Sequence, residues 1–395
     1  MNNPISITAL SSISALGNTQ EEIWQNYLSD KHFLCEKEVN GKSVFIGQLS
    51  QKSQGIIKEL KRSDSKYRNL DDSVLLAIYV SREVVKKANW NSDINFGVNF
   101  GSSRGATALF EKYYKEFLAT KKSSTLSSPT TTLGNISSWV AHDLQTIGPE
   151  ISHSITCSTA LHSLLNGVAW INSGMSDKFL VGGSEAALTD FTIAQMQALK
   201  VYAKNKDEYP CKSFNLKKKQ NTMILGEGAA AICLETGSIN NALAKISGIG
   251  FATEVLMHNT SISADAQCFQ KSMKMALGEF SPNEVDTIVM HAPGTIKGDQ
   301  SEVNAISKVF QNKIKSLRQS SFLIALSGSF TVTLDNGRSK KSFLLNKPNK
   351  GLLLPTGIWR ELEDFSSGAI CLVLSSGEFE EDDYIRDYRS FKNLE

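Results

Sequence analysis

The chain lacks a charge bias of either sign. Its 395 residues carry 42 basic and 40 acidic side chains, for a formal net charge of +2. A nucleic-acid-binding surface normally shows a pronounced basic excess, and none is present. Paired cysteines are lacking too. Cys35, Cys157, Cys211, Cys233, Cys268 and Cys371 stand far apart and no two form a C-x-x-C pair, so neither a zinc site nor a disulfide framework is indicated. A reduced, cytoplasmic setting follows as the simplest expectation. No apolar run approaches the ~20 residues needed to cross a bilayer. Met1-Asn2-Asn3-Pro4 does not open a charged segment followed by an apolar one, so no secretory signal is read there. What is present is 41% hydrophobic residues, ample for a large core, in a chain whose length suggests two or three domains.

Apolar runs alternate with amphipathic stretches. Ile5 to Leu16, Phe96 to Phe100, Phe179 to Val181, Ala229 to Leu234, Ala244 to Ile249 and Asp286 to Met290 read as strands. Glu21 to Leu28, Asp71 to Lys87 and Ala266 to Leu277 read as helices. Lys122 to Thr132, rich in Ser and Thr, reads as a loop. Ser281-Pro282-Asn283-Glu284 has capping-box spacing, and Asp299 with Glu302 repeats it for a following helix. The alternation predicts an α/β fold with mainly parallel sheets. Lys217-Lys218-Lys219 reads as an exposed turn, Glu227 as a structural brace, and Glu378 to Asp383 as a solvated acidic tail.

Cys157 is the chemically pointed residue. It stands in Ile155-Thr156-Cys157-Ser158-Thr159-Ala160, after a β-like run and before Leu161, Leu164, Leu165 and Val168 at helical spacing. The thiol therefore falls at the joint of a strand and a helix N-terminus. Unpaired amides and the helix dipole there favour a thiolate, the form that attacks a thioester carbon. His291 directly follows an expected strand, at the end where α/β sheets gather ligands. His162, on the helix after Cys157, reads as a packed core residue, while His153 and His258 show no evident role.

An ordered series of motifs resembles the β-ketoacyl-acyl-carrier-protein synthases, condensing enzymes of the thiolase superfamily. It runs from Ile7-Thr8-Ala9-Leu10 and Leu16-Gly17-Asn18 through Phe96 to Ser103, Ser128-Pro129 with Asn135, and Thr156-Cys157-Ser158. It continues through Val181-Gly182-Gly183-Ser184-Glu185-Ala186, Cys211 to Asn215, and Leu225-Gly226-Glu227-Gly228-Ala229. It ends on His291-Ala292-Pro293-Gly294-Thr295 followed by Asp299 and Glu302. The resemblance implies a thiolase-like fold, two similar αβαβα halves in one five-layered unit. The halves would span 1–240, carrying Cys157, and 241–395, carrying His291, with the second half shortened. It implies a Claisen condensation with Cys157 as nucleophile. The Cys157 N–H, with one from the loop near Phe365, would form an oxyanion hole. His291 would donate to the malonyl thioester carbonyl, and Thr295 would contact substrate. Implied partners are acyl carrier protein and a second subunit, either a homodimer or a heterodimer with a β-ketoacyl synthase. No cofactor, metal, nucleic acid or membrane span is called for.

The C-terminal part departs from the pattern. Ser329 falls at the position of the family's second histidine, and Thr331-Val332-Thr333 and Asp335-Asn336-Gly337 replace the expected helix with strand and turn signals. Phe365-Ser366-Ser367-Gly368 stands where the family carries a Gly-Phe-Gly-Gly loop. Two other readings follow from this loss: a non-condensing, chain-length-factor-like partner subunit, and a Cys157-dependent acyltransferase.

Overall fold

The computed structural model describes residues 4–90, 94–133, 135–204, 207–255, 263–310, 321–355, 357–375 and 388–392. His258 and the acidic run 378–383 lie outside them. Two compact units are formed, Met1–Ile249 with Ala292–Asp299, and Gly250–His291 with Gln300–Glu395.

In the first unit the chain runs β1 (Ile5–Ile13), α1 (Gln20–Tyr27), β2 (Cys35–Val39), β3 (Lys42–Ile46), α2 (Gln51–Ser63), α3 (Asp72–Lys87) and β4 (Gly97–Gly101). It continues α4 (Thr107–Thr120), α5 (Ser127–Thr131), α6 (Asn135–Leu144), β5 (Glu150–His153), α7 (Thr159–Asn172), β6 (Lys178–Glu185), α8 (Asp190–Ala198), β7 (Gly228–Thr236) and β8 (Ala244–Ile246). The central sheet has the order β5-β4-β6-β7-β1-β8. It is mixed, and this corrects the expectation of mainly parallel pairing. β4 pairs parallel with β5 and β6, whereas β7 runs antiparallel to both β6 and β1.

Both faces of this sheet are covered, which is why its strands read as apolar runs. On β6, Leu180 enters the cluster around α3, with Val74, Ile78 and Val84, while Phe179 and Val181 enter the one around Val168 and Ile171 of α7. Period-2 alternation thus sends successive side chains to opposite helical layers. β1 switches faces partway. Ile5 packs on the α7 side and Ala9 and Ile13 on the α3 side, because a register shift lies between Ile7 and Ala9. One extra residue in a strand reverses every side chain beyond it. The Lys122 to Thr132 segment, expected as loop, holds the short α5.

The second unit contains α9 (Gln267–Leu277), residues of α10 (Ile296–Val309), and the strands β9 (Ser321–Ser327), β10 (Phe330–Asp335), β11 (Lys340–Leu345), β12 (Gly351–Leu354), β13 (Trp359–Glu363) and β14 (Ile370–Ser375), followed by α11 (Tyr388–Lys392). The six strands form two antiparallel three-stranded sheets, β11-β10-β13 and β12-β9-β14. Leu323 and Ala325 of one sheet and Phe330, Val332 and Leu345 of the other share one buried cluster. The arrangement is a small sheet-on-sheet sandwich. Asp286 to Met290 is not a strand. β9 takes β12 and β14 as its neighbours instead, and the segment packs Ile288 and Met290 on Ile306, Val309 and Phe310.

Candidate active site

Cys157 sits in a 3-10 turn, Thr156–Ser158, between the end of β5 and the start of α7. Three features hold that turn. Thr159 Oγ1 accepts from the Ile155 N–H at 2.9 Å and donates to the Thr156 carbonyl. Thr156 adopts a positive φ of 46°, a left-handed conformation uncommon for a β-branched residue. His153 Nε2–H donates to the Thr159 carbonyl at 3.0 Å, and its Nδ1 accepts from Asn99 Nδ2 at 3.1 Å. Burial pushes the His153 imidazole below its ordinary value, consistent with the neutral ring that this pairing requires.

Two glycines let α7 come down on the sheet. A Cβ at Gly101 would meet Thr159 Cγ2 at 2.3 Å, and one at Gly183 would meet Ala160 Cβ at 2.8 Å. No side chain caps the α7 N-terminus; the Ser158 N–H donates to the Ile155 carbonyl at 3.2 Å and the Thr159 N–H to the Thr156 carbonyl. Cys157 is exposed and lines a cavity of about 670 Å³. Ile13, Leu161, Leu164, Val181 and Ala231 form apolar parts of its wall, and Arg104 and Glu185 supply its charged groups. The Ser103 N–H donates to Glu185 Oε1, and burial pushes that carboxyl above its ordinary value.

His291 is exposed, and its backbone N–H donates to Glu302 Oε1 at 2.7 Å. Thr295 Oγ1 accepts from the Gly298 N–H at 3.1 Å, in the first turn region of α10. Asp299 is not a helix cap, as its spacing suggests, but a buried residue inside α10. It accepts from the Gly294 N–H at 2.9 Å and the Phe214 N–H at 2.7 Å, and it pairs with Lys218. Lys218 is therefore buried rather than part of an exposed turn. Glu227 accepts from the Leu49 N–H at 3.0 Å and so braces its turn. His162 is half-buried, with Nδ1–H donating to the Ser158 carbonyl at 3.0 Å.

Ser329 and Phe365 are brought together in the β-sandwich. The Ser366 N–H donates to the Ser329 carbonyl at 2.8 Å, the Ser329 N–H donates to Ser366 Oγ at 2.9 Å, and Phe365 stacks on Phe330 at 4.9 Å. Strand β10, not a helix, follows Ser329. Thr331-Val332-Thr333 enters an antiparallel ladder with β11 and β13 where the family carries a helix.

Three further residues belong to the site although sequence reasoning gave them no role there. His153 could have been found as a polar residue closing the strand before the nucleophile. Glu185 ends the Gly-Gly strand, and Arg104 follows the Gly101-Ser102-Ser103 turn. Both stand where sheet ends meet ligands.

Cys157 thus stands on a strand-to-helix turn and opens on a largely apolar cavity beside a doubly covered mixed sheet. Solved structures share the fold. They include a β-ketoacyl synthase from Burkholderia phymatum (TM-score 0.68, 19% identity, 78% of this chain and 79% of that one). The ishigamide ketosynthase/chain length factor matches with TM-score 0.67 at 19% identity, over 78% of each chain. A type II PKS acyl-carrier protein complexed with its ketosynthase matches with TM-score 0.67 at 21% identity, over 78% of each chain.

The chain belongs to the β-ketoacyl synthase family. The model for the β-ketoacyl synthase N-terminal domain matches residues 2–239 and that for the C-terminal domain residues 243–325. A third model, FdtA of the WxcM-like, C-terminal type, matches residues 313–395, the span that holds the β-sandwich. The 3-oxoacyl-[acyl-carrier-protein] synthase 2 of Coxiella burnetii is 28% identical over 328 residues, covering 80% of this chain and 79% of its own length. That of Staphylococcus aureus is 27% identical over 342 residues, covering 81% and 80%. Among the described residues, no helix is long and apolar enough to cross a membrane.

Proposed function

We propose that the chain is a β-ketoacyl-ACP synthase-type acyltransferase of the cytoplasm, acting on acyl and malonyl thioesters of acyl carrier protein, with Cys157 as the acyl acceptor. The Cys157 sulfur attacks the thioester carbonyl as a thiolate, and a new carbon–sulfur bond forms. Negative charge on the carbonyl oxygen is held by an oxyanion hole to which, as the family resemblance implies, the Cys157 N–H contributes. The intermediate collapses, the bond to the carrier's sulfur breaks, and the carrier leaves as a thiol carrying the proton that Cys157 gave up. A malonyl thioester then loses carbon dioxide. Its enolate carbon bonds to the acyl carbon, and the Cys157 sulfur is released. His291 and Thr295 are proposed, from their motif, to contact the malonyl thioester as charge develops on its carbonyl.

The observation that carries the reading is the seat of Cys157, exposed at the α7 N-terminus and lining a cavity of about 670 Å³. Retention of a thiol there favours acyl acceptance over a partner subunit that only shapes another chain's cavity. Lys200, Lys204 and Lys219 line a separate cavity of about 250 Å³, a basic surface fitted to an acidic carrier. The solved ketosynthase complexes, one with its acyl-carrier protein and others with chain length factors, support a carrier and a second subunit as partners.

Intact-mass measurement after incubation with an acyl-carrier thioester tests the proposal. A single acyl adduct is expected, lost in Cys157→Ala. Equal loading in that variant would sink it.

A further inference from the structure

Arg104 is out of keeping with a cavity for plain hydrocarbon chains. Its backbone is fixed beside the Cys157 segment. The Ser102 N–H donates to the His153 carbonyl at 3.2 Å, Ser154 Oγ donates to the Ser103 carbonyl at 3.0 Å, and Thr107 Oγ1 donates to the Arg104 carbonyl at 2.9 Å. The side chain is half-buried and lines the same cavity as Cys157. Its Nη1 donates to Gln195 Oε1 at 2.7 Å, a neutral acceptor that leaves the positive charge in place. Glu185, the carboxylate on the same wall, already accepts the Ser103 N–H; burial pushes its carboxyl above the ordinary value, against the pull of the Arg104 backbone N–H and charge. A guanidinium keeps its charge at any physiological pH and offers five donors in a planar fork. A methyl-ended chain filling the cavity would strip water from that fork and return nothing to it. A carboxylate would meet it with charge-assisted, bidentate hydrogen bonds.

We propose that the Cys157 cavity selects acyl groups that themselves carry a carboxylate, ω-carboxyacyl thioesters, and that Arg104 is the residue that reads that carboxylate. The inference rests on acyl acceptance by Cys157 and names the substrate class of that step. The carboxylate belongs to the acyl group delivered to Cys157, not to the malonyl unit that loses carbon dioxide.

The test compares the rates at which N-acetylcysteamine thioesters acylate the full chain, followed by intact mass. These donors carry no phosphate that could engage an arginine. Succinyl, adipoyl and suberoyl donors are set against butanoyl, hexanoyl and octanoyl ones. At one chain length or more, the carboxylated donor is expected to load about tenfold faster than its methyl-ended partner, the ratio that a hydrogen-bonded charge pair supports. Arg104→Leu is expected to remove that preference. Gln195→Glu, which places a carboxylate beside the guanidinium while leaving it present, is expected to remove it as well, and so guards against misfolding of the first variant. Malonyl-N-acetylcysteamine is added as a competitor in every case.

A wild-type chain that prefers methyl-ended donors at every length overturns the inference and leaves acyl acceptance standing. The same holds for a ratio that both substitutions leave within about twofold, and for an Arg104 effect confined to malonyl competition. Failure of both series to modify Cys157, with iodoacetamide still alkylating it, removes the functional reading and this inference with it.

Discussion

Lys218 and Asp299 form an ion pair whose side chains are 2% and 0% exposed. Asp299 also holds the Gly294 and Phe214 amides, so it fastens the Pro293-Gly294 loop to the segment after Cys211. Taking away one partner strands a charge in a dry setting. Asp299→Ala or Lys218→Met should lower stability by about 3–5 kcal/mol, read from urea denaturation midpoints, and the double substitution should recover part of the loss. The pair was not legible in the sequence. Three consecutive lysines are normally solvated, and the carboxylate that buries the middle one is 81 positions away. Cys157 was legible, because its local spacing alone announces a strand-to-helix joint. Glu185 gives a pH signature. Burial, the dominant cause, raises its carboxyl above the ordinary value despite donation from Ser103, Ser102 and Arg104. The native state therefore holds that proton more tightly than the unfolded chain. The resulting stabilisation is complete below the ordinary glutamate value of about 4.3 and fades as pH rises through the raised one. Glu185→Gln, neutral throughout, should gain stability relative to the parent as pH increases from about 4 to about 8, measured as the difference in urea midpoints. A constant difference across that range would show that the carboxyl is not perturbed.

At the scale of elements, α7 depends on close approach. Its first turn lies against Gly101 and Gly183 with no room for a methyl group, and the seat of Cys157 depends on that contact. Gly183→Ala should force the α7 N-terminus outward, at a cost of about 1–3 kcal/mol, and slow acylation of Cys157 well before the fold is lost. Unchanged acylation in a folded Gly183→Ala variant would mean that the turn tolerates displacement. The strands β1, β4, β6 and β7 and the helix α3 were readable from apolar periodicity, because each is buried on a defined face. Strand direction was not. A parallel partner and an antiparallel one demand the same apolar run, and the choice depends on how the chain returns, here through the long 199–227 connection between α8 and β7. The β1 register shift was equally hidden, since Ile5, Ile7, Ala9 and Ile13 keep one alternation in sequence while serving two clusters in space. Asp286 to Met290 carries a strand-like composition, but composition supplies no ladder, and β9 pairs with later strands.

At the scale of the whole chain, the FdtA model and the C-terminal synthase model overlap only at 313–325. Up to there the chain matches the β-ketoacyl synthase models. Beyond it the residues build an antiparallel sandwich with a core of its own, Leu323, Phe330, Val332, Leu345 and Leu354. The turn and β-branched signals at Thr331 to Gly337 were visible in the sequence. Their meaning was hidden, because a remodelled half and a different kind of module produce the same local signs. The distinction bears on chemistry. Decarboxylation of a malonyl unit needs a preorganised donor at the carbonyl that becomes an enolate, and one such donor is worth on the order of 100- to 1000-fold in rate. Ser329 stands where a second histidine was expected, yet it precedes a strand, its N–H is taken by Ser366 Oγ, and its carbonyl accepts the Ser366 N–H. An imidazole introduced there would grow from the turn between β9 and β10, strands of two different sheets, and not from a helix. Ser329→His should therefore leave carbon dioxide release from malonyl-carrier protein within about twofold of the parent, far short of the 100-fold that a functional donor would restore, while Cys157 acylation by an acyl-carrier thioester continues unchanged. A rise in carbon dioxide release of about 100-fold would mean that residue 329 serves the substrate after all, and the reading of Ser329 as a turn residue without a catalytic part would have to be abandoned.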